Sequence, residues 1–484
     1  MSSLTSRFKQ LSKDTVIYGL GGALAKSVGF FLLPVYTRVF TPADYGTIEM
    51  LSILVSFLTM IMVMGMDSAQ SFYFFEQKSN GVRAQARVVS SILQWRLIWG
   101  TAVLVVAMLF APLLNAIFFS GTISWMYFAV AFSVALFNQL MSQSAEVFRL
   151  LYKPLKYICI TLFHSLGAAA LALVLILVFK KGILGFFLGS LIASIFAAIL
   201  GWWLIRDYLD WSVSYRNWWP KLLRFGIPLV PSGFAMYVLI SSDRWFIISL
   251  KSPEELGLYA VGAKFASVMA LAVHTFRLAW WPVAMDAMQN ESEKPLFRVV
   301  GRLYLGLGIA SAVLLTAISP LLVRIMAAPG FFHAYPVVGI LAWYPILYGF
   351  SLIVSCGIWK SEKTIFAPVI MGVAAILNIF LNAWWVPSYG GIGAATATAV
   401  SFLLWNILAI YISEKFWKVG YDYLVMICQI FIGAVACGMI LLAYQSEINW
   451  AMGCAIAGVS IALLGVSSIS NMNLRTAIRL AFGR

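Results

Sequence analysis

Apolar residues run along this chain in stretches of about 20, the length a helix needs to cross a hydrocarbon core about 30 Å thick. Such stretches lie at 16–35, 47–68, 97–118, 122–145, 157–179, 183–205 and 226–249. Seven more follow at 257–280, 300–323, 336–358, 365–386, 390–413, 422–443 and 449–469. Continuous apolarity without strict alternation predicts helices rather than barrel strands. The expected fold class is an all-α integral membrane protein of about 14 transmembrane helices.

Composition agrees and excludes a water-soluble fold: 62% of residues are hydrophobic and 11% charged, against roughly 45–50% and 25% in soluble domains. The net charge of +15 raises a nucleic-acid partner, so the placement of the 33 basic residues matters. Taking segments alternately in and out from a cytoplasmic start puts 24 of the 33 inside and five outside, at Arg38, Lys180, Lys181, Lys251 and Arg324. That asymmetry is the positive-inside signal and places both chain ends in the cytoplasm. Solvation at the membrane surface accounts for the charge without nucleic acid. Lys26 interrupts the first apolar run and no small-residue cleavage site follows, so this run reads as a span rather than a signal peptide. Ahead of it, Leu4, Phe8 and Leu11 repeat at helical spacing among Arg7, Lys9 and Lys13, as an interfacial helix would.

Two landmarks recur along the chain. Thr41-Pro42-Ala43-Asp44-Tyr45-Gly46 follows the first span, and Ser252-Pro253-Glu254-Glu255-Leu256-Gly257 follows the seventh. Gly182-Ile183-Leu184-Gly185 precedes the sixth span, and Gly390-Gly391-Ile392-Gly393 precedes the twelfth. A repeat of six spans keeps its orientation, which predicts two parallel six-helix lobes around a central cavity. The expected organisation is an interfacial helix at 1–14, an N-lobe at 15–206, a linker at 207–225, a C-lobe at 226–413, a two-span appendage at 414–470 and a basic tail at 471–484. Hydroxyl, Pro and acid at these offsets form a helix start, and the Gly-x-x-Gly pairs read as close packing rather than phosphate cradles. Trp202-Trp203, Trp218-Trp219 and Trp280-Trp281 fall near the expected inner interface, as an aromatic belt does.

Charge at membrane depth is the candidate chemistry, because such residues face a wet cavity or a partner. Lys26 lies halfway along the first span and Lys264 well inside the eighth, with Arg38 and Arg244 nearer the outer face and Arg277 nearer the inner one. These five are the candidate substrate-binding cations of a basic cavity. The acids are Glu49, Asp67 and Asp243: Asp243 is placed to partner Arg244, and Asp67 either gates the cavity or pairs with a cation. His164 and His274 are either buried imidazoles bonded to neighbours or protonation switches that couple transport. Gln70, Asn138, Gln139, Gln143, Asn378 and Asn382 supply amides for sugar hydroxyls or for interhelical hydrogen bonds.

A basic cavity favours an anion, with Lys and Arg the pairing for phosphate oxygens. A cation-coupled drug exporter of similar build is expected to place an acid where Lys26 stands. A glycan polymerase or ligase is expected to carry a sizeable soluble domain or loop with acids or bases; the longest connections are about 20 residues, and the sequence has no Asp-x-Asp or Walker motif. The five cysteines are odd in number, lie in apolar spans and lack metal-ligand spacing, so neither disulfides nor zinc are implied. No catalytic residue, cofactor or metal is expected.

Leu33-Pro34-Val35-Tyr36-Thr37-Arg38 running into Thr41 through Gly46 resembles the opening of bacterial polysaccharide exporters. Asn378 through Asn382, Pro387, Tyr389 through Ala395 and Thr396 through Ser401 resemble their eleventh-to-twelfth span junction. The family is that of O-antigen and related oligosaccharide-lipid flippases, within the multidrug, oligosaccharidyl-lipid and polysaccharide exporter superfamily. The resemblance extends to about span twelve. It implies alternating access by two lobes in the bacterial cytoplasmic membrane, carrying an undecaprenyl-diphosphate-linked glycan to the outer leaflet among membrane lipids. It also implies polysaccharide polymerase and glycosyltransferases as partners.

Overall fold

The computed structural model describes residues 21, 22, 24, 25, 27–210, 216–446 and 449–469. The expected interfacial helix at 1–14, the side chain of Lys26 and the tail at 471–484 lie outside the described residues. Within them, twelve helices are long and apolar enough to cross a membrane. The chain packs as two units, one ending at Ala260 and the other beginning at Val261.

The first unit contains α1 (Leu33–Val39), α2 (Pro42–Val63), α3 (Met66–Glu76), α4 (Val82–Phe119), α5 (Trp125–Leu150), α6 (Pro154–Leu173), α7 (Gly182–Leu204), α8 (Trp219–Gly226), α9 (Val230–Leu250) and the start of α10 (Pro253–Ala287). α2 opens on the capping box its sequence predicts. The Asp44 N–H donates to Thr41 Oγ1 at 3.2 Å, and the Thr41 N–H donates to the Asp44 carboxylate at 3.1 Å. At the head of α10 the Glu255 N–H donates to Ser252 Oγ at 3.2 Å. These two helix starts pack on each other. A Cβ added to Gly46 would stand 1.9 Å from the Pro253 carbonyl oxygen, and one added to Gly257 would stand 1.9 Å from that of Pro42. Only a residue without a side chain permits that backbone approach.

α2 stops at Met64 and Gly65, both left-handed with φ of 43° and 72°, and the chain restarts as α3. A helix broken at membrane depth leaves carbonyls to be satisfied. The Trp99 indole N–H meets one of them, donating to Ile61 O at 3.1 Å. α4 has 38 residues, about 57 Å of helix, and begins well ahead of the apolar run at 97. Its polar extension gives the short helix α8 a surface: Met66, Ala69, Tyr73, Val88, Ile92 and Leu222 are buried, with Trp95, Trp218 and Trp219 against them. The Trp219 indole donates to Ser91 O at 3.1 Å. Trp218 and Trp219, both half-buried, therefore pack against α4, which continues as helix where its hydropathy ends.

The second unit continues α10 and adds α11 (Lys294–Met326), α12 (Tyr335–Leu341), α13 (Trp343–Val354), α14 (Cys356–Lys360), α15 (Phe366–Phe416), α16 (Tyr423–Ser446) and α17 (Trp450–Ile469). α11 is its centre, with α12, α13, α16 and α17 packed around it. α15 contains 51 residues and a non-helical Gly390 at φ 54°, ψ −134°. Asn378 Nδ2 reaches Thr398 Oγ1 at 3.5 Å, although a straight helix would hold those residues about 30 Å apart. The two halves thus form an antiparallel hairpin that matches the expected spans 365–386 and 390–413.

Gly257→Ala drives a methyl into backbone and is expected to lower stability by about 1–3 kcal/mol, read as a lower unfolding midpoint in detergent. Gly438→Ala, where nothing lies within 4 Å of an added Cβ, should hold or raise the midpoint. Equal midpoints for the two variants would remove the close-approach account.

Candidate functional site

Among the described residues of the first unit, two clusters of charge lie between helices. In the first, α9 carries Asp243 and Arg244, α2 carries Glu49 and α10 carries Tyr259. Asp243 is 1% exposed and the Arg244 side chain 13%. Arg244 Nη1 donates to the two Asp243 oxygens at 2.9 and 3.0 Å and to Ile240 O at 2.6 Å. Its Nε donates to Glu49 Oε1 at 3.4 Å. Tyr259 Oη donates to Asp243 Oδ2, and its ring lies 5.0 Å from the guanidinium. One cation thus sits between two carboxylates, which supplies the pairing that charges removed from water require. Glu49 is one helical turn from Gly46, so this cluster stands beside the close contact of α2 with α10.

The second cluster joins α3, α4 and α5. Arg96 is 1% exposed and pairs with Asp67, whose side chain is 49% exposed. Its Nη1 donates to Gln139 O at 2.6 Å. Gln143 Nε2 donates to Val89 O at 2.8 Å. Both side-chain polar atoms of Gln70, and Oε1 of Gln139 and of Gln143, are buried with no hydrogen-bond partner in the structure. Nearby in the same unit, His164 Nε2 lies 3.0 Å from Ser194 Oγ, which donates to Asn138 Oδ1 at 2.7 Å. That network ties α5, α6 and α7 together.

The other described candidates are Arg38 in the first unit and three residues of the second. Arg38 is exposed, and its Nη1 donates to Pro34 O at 2.6 Å. Lys264 and His274 are half-buried and Arg277 exposed, all on α10 within the second unit. The structure therefore brings Asp243 and Arg244 together with Glu49, gives Asp67 a cation, and leaves Lys264, His274 and Arg277 on one helix. Arg96 and Tyr259 escaped sequence reading. Arg96 falls one residue ahead of the apolar run at 97, and its only sequence signal is an unpaired Asp67 on the neighbouring span.

Residues 11–288 match the polysaccharide biosynthesis protein family. The chain belongs to that family. It is similar to two proteins of Haemophilus influenzae (strain ATCC 51907 / DSM 11121 / KW20 / Rd). With "Lsg locus putative protein 1" it is 24% identical over 287 residues, covering 58% of this chain and 67% of that one. With an "Uncharacterized membrane protein" it is 23% identical over 289 residues, covering 59% and 67%. Among solved structures it resembles the lipid II flippase MurJ in an inward closed conformation, with TM-score 0.71 at 14% identity over 96% of this chain and 100% of that one. It also resembles an inward-facing multidrug resistance MATE family transporter of the MOP superfamily, with TM-score 0.61 at 13% identity over 81% and 96%. The protein is a multi-pass, all-helical membrane protein with a transporter-like fold.

Arg244→Ala would leave the buried Asp243 and the half-buried Glu49 without their cation and is expected to cost about 3–5 kcal/mol, measured by unfolding in detergent. Adding Asp243→Asn should restore part of that loss. A double variant no more stable than Arg244→Ala alone would show that Asp243 is not the charge Arg244 balances.

Proposed function

We propose that this protein is a non-hydrolytic flippase that moves a polyprenyl-diphosphate-linked oligosaccharide from the cytoplasmic to the outer leaflet by alternating access. The observation that carries the reading is a polysaccharide biosynthesis family chain whose fold follows a lipid II flippase over nearly its whole length. A diphosphate substrate suits the excess of cations, with Lys26 and Lys264 assigned to its oxygens and Arg38 and Arg277 to its approach. An inside-negative potential drives two negative charges outward with a gain of about 4.6 kcal/mol per 100 mV, so export needs no nucleotide.

In this reading the Gly46–Gly257 contact is a closure at the outer end, and Arg244 is part of its latch. Opening separates Arg244 from Glu49 on α2, while Asp243, its neighbour on α9, keeps the guanidinium paired. Asp67 and the histidines are assigned to gating and coupling. The partners implied are glycosyltransferases that make the lipid-linked glycan and a polymerase that consumes it.

Lys26→Ala and Lys264→Ala should each slow translocation of lipid-linked glycan in vesicles by about tenfold or more, the loss of a charge-assisted hydrogen bond. An unchanged rate in correctly inserted protein would defeat the site assignment. Efflux of cationic dyes without glycan translocation would favour the exporter reading that the MATE-like fold also permits. Formation of a glycosidic bond by the purified protein would overturn both.

A further inference from the structure

In the second unit, α13, the second half of α15 and α16 enclose a groove of about 750 Å³. Its walls are apolar, built by Leu347, Phe350, Leu403, Ile410, Met426 and Ile430. Asn406 fixes its floor. The buried Nδ2 donates to Leu347 O at 2.9 Å and to Phe402 O at 2.8 Å, tying α13 to α15 so that the walls are set before anything occupies them. Ile407, Tyr411 and Ile427 line its edge and are each more than half exposed. Apolar side chains exposed along spanning helices meet acyl chains.

Charge is confined to one end of the groove, at Glu414, Lys415 and Lys418. The Glu414 carboxylate is already engaged, accepting from the Val419 N–H at 2.9 Å and the Gly420 N–H at 3.0 Å. Lys415 Nζ is held 4.1 Å from the centroid of the Tyr411 ring, over the groove wall. Lys418 is exposed beside it. The mouth therefore presents two ammonium groups, and about 16 Å of apolar helix separates it from Leu403. That pattern fits a molecule with a long apolar chain attached at a phosphate, as basic pockets between spanning helices fit anionic headgroups.

We propose that this groove is a binding site for an anionic phospholipid, with one acyl chain along α15 and α16 and the phosphate between Lys415 and Lys418. The site lies wholly in the second unit and shares no residue with the Glu49–Asp243–Arg244 cluster. It does not depend on which molecule the protein translocates.

The test uses the full chain, delipidated in mild detergent and offered phosphatidylglycerol or phosphatidylcholine, with bound lipid counted by native mass spectrometry. Wild type should retain phosphatidylglycerol about 20–30-fold better, the combined attraction of two lysines for an anionic headgroup. Lys415→Gln with Lys418→Gln should abolish that preference. Ile407→Trp fills the groove from an exposed position, where folding is spared, and should reduce retention of both lipids. Equal retention by wild type, or phosphatidylglycerol binding unchanged in either variant, would overturn the proposal. So would undecaprenyl phosphate displacing phosphatidylglycerol at equal concentration, since the groove would then belong to a polyprenyl chain.

Discussion

A guanidinium buried among helices away from water needs a counter-charge beside it, and insertion scales assign about 2.5–3.5 kcal/mol to leaving one bare at a span centre. This requirement organises the helices that carry charge. Arg244 is held by Asp243 on its own helix and by Glu49 on α2. Arg96 of α4 is answered by Asp67 of α3, and Arg302 of α11 by Asp422 at the head of α16, at 3.3 Å. In each case a cation finds an acid that another part of the chain delivers, so each pair is also a constraint on where two elements stand.

Lipid supplies no hydrophobic force between helices, so the remaining cohesion comes from fit and from hydrogen bonds. Small residues provide the fit: besides Gly46 and Gly257, Gly189 of α7 sits on the backbone of Ala172 in α6, and Gly306 of α11 sits on Ser468 of α17. Amides provide the bonds, as Gln429 shows by donating from α16 to Ser468 Oγ at 3.0 Å. The broken α2 follows the same rule. Its interruption at Met64 and Gly65 is tolerated because Trp99 donates to a carbonyl that the helix no longer serves.

The spans were legible in the sequence because hydropathy over about 20 residues measures what the bilayer measures. Helix beyond the bilayer carries no such mark, so the extension of α4 from Val82 and the packing of Trp218 and Trp219 on it were not. The local pairing of Asp243 with Arg244 was also legible, because the two are neighbours in the chain. Glu49 is nearly two hundred residues from Arg244, and choosing it needs the packing of α2 on α9. The helix starts at Thr41 and Ser252 could be read as repeats, since capping is local. That each repeat lies against the other is a tertiary fact with no local signature.

That mutual contact has the form of an isologous interface, in which a first patch touches a second and the second touches the first in the same way. Pro42 meets Gly257 as Pro253 meets Gly46. The charges beside it do not share the reciprocity: in the register that aligns Gly46 with Gly257, Glu49 corresponds to Ala260 and Arg244 to Leu33. A true homodimer would have to repeat every charge at both sites. Two segments of one chain carry no such obligation, so the contact is symmetric in shape and polarised in charge. Backbone fit specifies where the two helix starts meet, and the Glu49–Arg244 ion pair beside them has no counterpart in that register.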